Sequence, residues 1–132
     1  MPKSGNILVV DDEPSVLVTY RLILEQQGYN VTAALSAAEA REVLSTKKIE
    51  LLLCDLSLEK QESGFDVIEF GRKLSPKLLS VLLTGYATQD AAEWAEKRGI
   101  PILFKPIDIK QLLETIEYLL RNRHEIGQAI GD

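Results

Sequence analysis

The chain has 132 residues, 45% of them hydrophobic, which suits one domain with a full core. A net charge of −5 argues against gripping DNA or RNA, since phosphate binding rests on Lys and Arg, and no apolar run approaches the roughly 18–20 residues that cross a bilayer. Met1 to Asn6 lack the apolar core of a secretory signal, and a lone cysteine fits a reducing compartment, so a cytoplasmic location is expected.

Asn6 to Val10 is fully apolar after Asn6 and reads as a buried strand that runs into Asp11-Asp12-Glu13. Pro14 suits the first turn of a helix. From Val16 to Gln27 the residues Val16, Leu17, Tyr20, Ile23 and Leu24 keep the helical period, and Gly28 closes it. Tyr29 to Ala33 is a short second strand. Ser36 and Glu39 form a capping-box pair for a helix that runs to about Thr46, with Ala37, Ala40, Val43 and Leu44 inward. Ile49-Glu50-Leu51-Leu52-Leu53-Cys54-Asp55 reads as a third strand, buried on both faces and ending in a carboxylate. Cys54 lies inside that run and reads as a small core residue.

A polar loop follows, and its Glu59-Lys60-Gln61-Glu62 reads as solvated. Phe65 to Leu74 is a helix with Val67, Ile68 and Leu74 apolar, broken by Pro76. Lys77 to Leu83 is a fourth strand that ends at Thr84-Gly85-Tyr86. Thr88 to Arg98 is an alanine-rich helix with Trp94 at its packed edge. Ile100 to Phe104 is a fifth strand that ends at Lys105-Pro106. The last helix starts near Asp108, with Ile109, Leu112, Leu113, Ile116, Leu119 and Leu120 in one stripe. His124 sits on its charged, solvated end. Residues 1–124 are expected to form the domain, and 125–132 a tail or the start of a linker, although Ile126 and Ile130 continue the spacing.

Strict alternation of strands and helices implies a doubly wound five-stranded parallel sheet with helices on both faces. The architecture is flavodoxin-like, with expected strand order 2-1-3-4-5 and a switch point between strands 1 and 3. Asp11, Asp12, Asp55, Thr84 and Lys105 then share one edge of the sheet. Three carboxylates that close repel one another unless a cation sits among them. Oxygen ligands without His or Cys favour Mg²⁺, with Mn²⁺ as an alternative. A metal-bound phosphoryl donor would also account for Lys105 as a point charge and Thr84 as a hydroxyl donor. Asp55 has the placement of a nucleophile, because carboxylates form aspartyl-phosphates.

The segments VVDDEP (Val9 to Pro14), LLLCDLSL (Leu51 to Leu58), LLTGYA (Leu82 to Ala87) and LFKPID (Leu103 to Asp108) carry a close resemblance to the receiver domain of two-component response regulators, spanning about Asn6 to Arg121. The resemblance implies that Asp55 is the phosphoacceptor. It implies that Asp12 is a direct metal ligand, that Asp11 acts more through water, and that Ser57 lends its backbone carbonyl to the metal. Thr84 and Lys105 would bind the phosphoryl group. The implied partners are a histidine kinase or phosphotransfer protein upstream, and a downstream protein or attached output domain that meets helix 4, strand 5 and helix 5. Dimerisation on phosphorylation is a further option. The implied role is a signalling switch that catalyses only its own phosphorylation and dephosphorylation.

The chain departs from the family pattern in three places. The loop before Gly64 lacks the usual proline and looks slightly long. The position three residues before the lysine, usually Tyr or Phe, is Ile102, while Phe104 directly precedes Lys105 and is expected to face the other side of the strand. No output domain follows the last helix in this sequence, which leaves open a stand-alone receiver or an excised domain of a hybrid kinase or transcription factor. Two other functions stay in play. One is a receiver-like binding module that works without phosphorylation. The other is a Mg²⁺-dependent phosphohydrolase on a related fold, although such enzymes typically place a second acid two residues after the nucleophile, where this chain has Ser57.

Overall fold

The apolar runs that end in acids become the centre of the sheet. In the computed structural model, which describes residues 4–58 and 63–123, the first three strands are β1 (Asn6–Val10), β2 (Asn30–Ala34) and β3 (Leu51–Asp55). β4 (Leu79–Thr84) and β5 (Ile102–Phe104) complete a parallel sheet in the order β2-β1-β3-β4-β5. The expected loop Glu59–Glu62, His124 and the tail 125–132 lie outside the described residues.

Five helices alternate with the strands: α1 (Pro14–Gln26), α2 (Ala37–Thr46), α3 (Gly64–Leu74), α4 (Gln89–Lys97) and α5 (Ile109–Arg121). Side-chain alternation along the strands divides the core in two. Ile7, Val9, Leu51, Leu53, Val81 and Leu83 face α1 and α5. Leu8, Val10, Leu52, Cys54 and Leu82 face α2, α3 and α4. Both faces are covered, which is why β1, β3 and β4 read as continuous apolar runs instead of alternating ones. Each fully buried leucine contributes roughly 1.5–3 kcal/mol of transfer free energy.

The helix starts follow local chemistry. The Ser36 hydroxyl accepts the Glu39 amide, while the Glu39 carboxylate takes the Leu35 amide, one residue before the cap itself. Ser63, Thr88 and Asp108 accept the amides of Asp66, Ala91 and Gln111 in the same way. Gly28 follows α1 with φ of 104°, a conformation that side chains other than glycine rarely adopt.

Several boundaries differ from expectation. β4 begins at Leu79 because Ser75 to Leu78 forms a turn, closed by the Leu78 amide on the Ser75 carbonyl. β5 is short because Pro101 has no N–H to give the ladder. Leu74 and Ile109, expected inward, are 54% and 38% exposed, Leu74 as the last residue of α3 and Ile109 as the first of α5. On β5, Leu103 enters the α1/α5 core. Ile102 packs against the opposite one, and Phe104, two residues on, lies on the Ile102 side and not on the other side expected of it, because side chains alternate along a strand; it is 56% exposed.

Candidate functional site

Parallel register assembles the site. Val10 pairs with Cys54, so the next residues, Asp11 and Asp55, emerge side by side where strand order reverses. Leu83 pairs with Asp55, which sets Thr84 one step beyond. Thr84 pairs with Phe104, which sets Lys105 beyond that. In an open parallel sheet this crevice is where ligands bind.

Asp11 and Asp55 are almost fully buried, at 1% and 7% exposed, and Asp12 is half-buried. Each carboxylate offers an oxygen within 4.8 Å of the others. Lys105 reaches between two of them, its Nζ donating to Asp55 Oδ2 at 2.8 Å and to Asp11 Oδ2 at 3.4 Å. The remaining oxygens are held by backbone. Asp11 Oδ1 accepts the Glu13 amide at 2.9 Å, and Asp55 Oδ1 accepts the Ser57 amide at 3.1 Å. Burial disfavours the Lys105 ammonium. The hydrogen bond and charge of Asp55, with those of Asp11, outweigh it and hold the lysine above its ordinary pKa.

One ammonium among three acids leaves an excess of negative charge. Hard carboxylate oxygens without imidazole or thiolate suit Mg²⁺ or Mn²⁺, so the donor set fits such an ion. The electrostatics reach into the core. Burial pushes the Tyr20 phenol up, Lys105 opposes this, and Asp11 and Asp55 add to it. Burial also pushes the Cys54 thiol up, with Asp55 and Asp11 adding to the effect. Cys54 is wholly buried and is a core residue, not a nucleophile.

Asp11, Asp12, Asp55 and Lys105 converge, whereas the Thr84 hydroxyl is engaged with Tyr86 and not with them. That hydroxyl donates to the Tyr86 carbonyl at 2.7 Å and accepts the Tyr86 amide at 3.2 Å, so it is held within its own loop. Ser57 lies two residues beyond Asp55 and bridges Ser63 in an antiparallel contact. Gly64 was not singled out by sequence reasoning, although a Ser-Gly pair before an apolar helical run is the signal for it. Its amide donates to the Leu56 carbonyl, and a Cβ at this position would lie 2.6 Å from the Asp55 carbonyl oxygen. Trp94 packs against Phe65 with ring centroids 4.2 Å apart and the rings tilted by 38°, and the Arg98 guanidinium lies 4.1 Å over the Trp94 ring. This ties α4 to α3. No helix among the described residues is long and apolar enough to cross a membrane.

Residues 7–117 match the family model described as the response regulator receiver domain. The chain is 37% identical over 111 residues to the alginate biosynthesis transcriptional regulatory protein AlgB of Pseudomonas aeruginosa, covering 83% of this chain and 24% of that protein. It is 32% identical over 126 residues to the transcriptional regulatory protein ZraR of Salmonella typhimurium, covering 95% of this chain and 28% of that one. It therefore spans about a quarter of the length of these curated relatives. Among solved structures, a CheY-like receiver domain protein of Methanospirillum hungatei JF-1 superposes with a TM-score of 0.86 at 29% identity, over 93% of this chain and 98% of that one. The beryllofluoride-activated NtrC4 receiver domain dimer superposes with a TM-score of 0.82 at 28% identity, over 89% and 98%.

Proposed function

The chain belongs to the response regulator receiver domain family, and on that premise we propose that it is a switch in which Asp55 accepts a phosphoryl group from a histidine-kinase or phosphotransfer-protein phosphohistidine. The observation that carries this is the 2.8 Å contact of Lys105 with a buried carboxylate flanked by two more acids. An Asp55 oxygen attacks phosphorus. The O–P bond forms as the P–N bond breaks, and the imidazole leaves with that electron pair. Lys105 moves its charge from Asp55 Oδ2 to a phosphoryl oxygen. Thr84 donates to another once it releases the Tyr86 carbonyl.

Asp11, Asp12 and Asp55, with the Ser57 carbonyl, would hold Mg²⁺ or Mn²⁺, Asp12 directly and Asp11 more through water. The bound ion would offset the acids and draw charge from the phosphoryl oxygens. The work is signalling in the cytoplasm and not turnover of substrates. The phosphorylated surface would meet a downstream protein or output domain through α4, β5 and α5, where Phe104, Ile109 and Tyr118 are exposed. The same face is an option for pairing two copies, as the activated relative is a dimer.

The test is incubation with a small acyl-phosphate donor and Mg²⁺, read by intact mass. Uptake of one phosphoryl group, lost on chelation of the metal, is the expected result. No uptake would favour the phosphorylation-independent binding module. Steady phosphate release from many substrates would favour the hydrolase.

Asp12→Ala should lower Mg²⁺ affinity about ten-fold or more, since even indirect partners of a metal carry that much. With one fewer like charge, the metal-free fold should be more stable in urea, not less. An unchanged Mg²⁺ titration would contradict the ligand set.

The switch itself should differ from the family pattern. Ile102 is β-branched, stiff at χ1, and has no ring to relocate. The loop 84–87 is expected to carry the change instead. Tyr86 is 77% exposed on the rim of a cavity of about 470 Å³ walled by Leu56, Leu58, Phe65 and Ala91. Driving a 1:99 equilibrium to 99:1 needs about 5.5 kcal/mol of differential binding, so this looser coupling should give a partial shift. NMR spectra with and without beryllofluoride should differ most at residues 84–87, with Trp94 also reporting. Changes centred on Ile102 with a still loop would exclude this mechanism.

A further inference from the structure

The sheet edge opposite Asp55 carries a charged feature that phosphoryl chemistry does not use. There the α2–β3 loop, the α3–β4 turn and the end of α5 surround a cavity of about 340 Å³. A second, of about 190 Å³, adjoins it and shares Lys48, Ile49, Ser75 and Leu78. Four cations line the pair, Lys47, Lys48, Lys77 and Arg123, against one acid, Glu50.

Glu50 is already engaged. One of its oxygens accepts the Asn6 amide at 3.1 Å, and the other is paired with Arg123. The three lysines are exposed and make no ion pair among the described residues. In a chain of net charge −5, this is a local reversal of sign. An anion seated in these cavities meets the cations that line them within a Debye length of about 8–10 Å, where screening is weak, so the cluster favours an anionic occupant. The floor is apolar. Leu78 and Leu79 are buried at the base, and Leu74 is more than half exposed at the rim of the smaller cavity.

We propose that this edge docks an acidic segment of a separate protein, with carboxylates on Lys48 and Lys77 and one apolar side chain in the larger cavity. A nucleic acid fits less well, because its many phosphates need more cations than four and would meet the acidic remainder of the surface. A short acidic segment brings few charges, and the cavity takes its apolar anchor. The edge lies at the far ends of the strands from Asp55, so docking leaves the phosphoryl site open.

The probe is a short synthetic peptide with a central phenylalanine flanked by glutamates, titrated into the ¹⁵N-labelled full chain. Shifts should be confined to residues 44–50, 71–79 and Arg123. Affinity should fall about ten-fold or more, both for a glutamine-substituted peptide and for the Lys48→Glu, Lys77→Glu variant. Acyl-phosphate labelling of that variant should match the unaltered chain. If charge reversal perturbs the fold by circular dichroism, Lys48→Gln with Lys77→Gln gives the same comparison. The proposal is overturned by shifts elsewhere or none, by binding indifferent to both lysines, by tighter binding of duplex DNA or anionic phospholipid vesicles through the same lysines, or by self-association that covers this edge. Because the readout is peptide binding, failure of phosphorylation and failure of docking are told apart.

Discussion

Asp55→Asn should take up no phosphoryl group from an acyl-phosphate donor under conditions that label the unaltered chain fully. The amide is neutral and a poor nucleophile toward phosphorus, and no other acid of the site occupies its place at the end of β3. The variant should still fold. Lys105 loses its partner at 2.8 Å but keeps Asp11 at 3.4 Å, and about a third of its side chain stays in water. Removing one of three neighbouring negative charges also relieves repulsion. Thermal unfolding close to that of the unaltered chain would therefore accompany a complete loss of label. Undiminished labelling would move the phosphoacceptor elsewhere, with Asp11 and Asp12 the first alternatives to test.

The second large effect falls on a residue with no side chain. Gly64→Ala should destabilise the fold by about 1–3 kcal/mol, the usual range for forcing an extra methyl into a packed site. The obstacle is backbone, not a flexible side chain. The new methyl would sit 2.6 Å from the Asp55 carbonyl oxygen and 3.2 Å from the Leu56 Cα. Relief requires the start of α3 to move away from the end of β3. That strains the Gly64 amide on the Leu56 carbonyl and the Ser57–Ser63 bridge. Phosphoryl uptake should slow along with the loss of stability, because Asp55 is aimed by the same segment. Gly85→Ala is the control. A Cβ there meets no atom within 4 Å, so its stability should change by less than about 0.5 kcal/mol. Equal effects at the two glycines would mean that close approach at Gly64 is not what limits the site.

The central strands and the residues at their ends were legible without coordinates. Continuous apolar runs such as Leu51 to Cys54 can be satisfied only by cover on both faces. Alternation with helices of helical period then leaves a parallel sheet as the arrangement. Once the strands are parallel, Asp11, Asp55, Thr84 and Lys105 must share an edge, and the motifs around them carry the family resemblance that the family model bears out. These inferences rest on local patterns, and local patterns report whether a position is buried.

What they do not report is which side chains meet, because that depends on register and crossover geometry across distant parts of the chain. Two adjacent aspartates look alike in sequence, yet Asp11 is the one buried against Lys105, and Asp12 is left half-exposed. Thr84 lies at the strand end as expected, but its hydroxyl is taken by Tyr86 two residues on, a local turn bond that competes with the site. Leu74 and Ile109 keep the helical period and still face water, each as the terminal residue of its helix. Lys48, Lys77 and Arg123 are unremarkable one at a time and become a basic edge only when the α2–β3 loop, the α3–β4 turn and the end of α5 are folded together. Burial along the central strands follows from composition and period, but burial at the ends of elements and the pairing of charges depend on separations in space, and those are set by tertiary contacts alone.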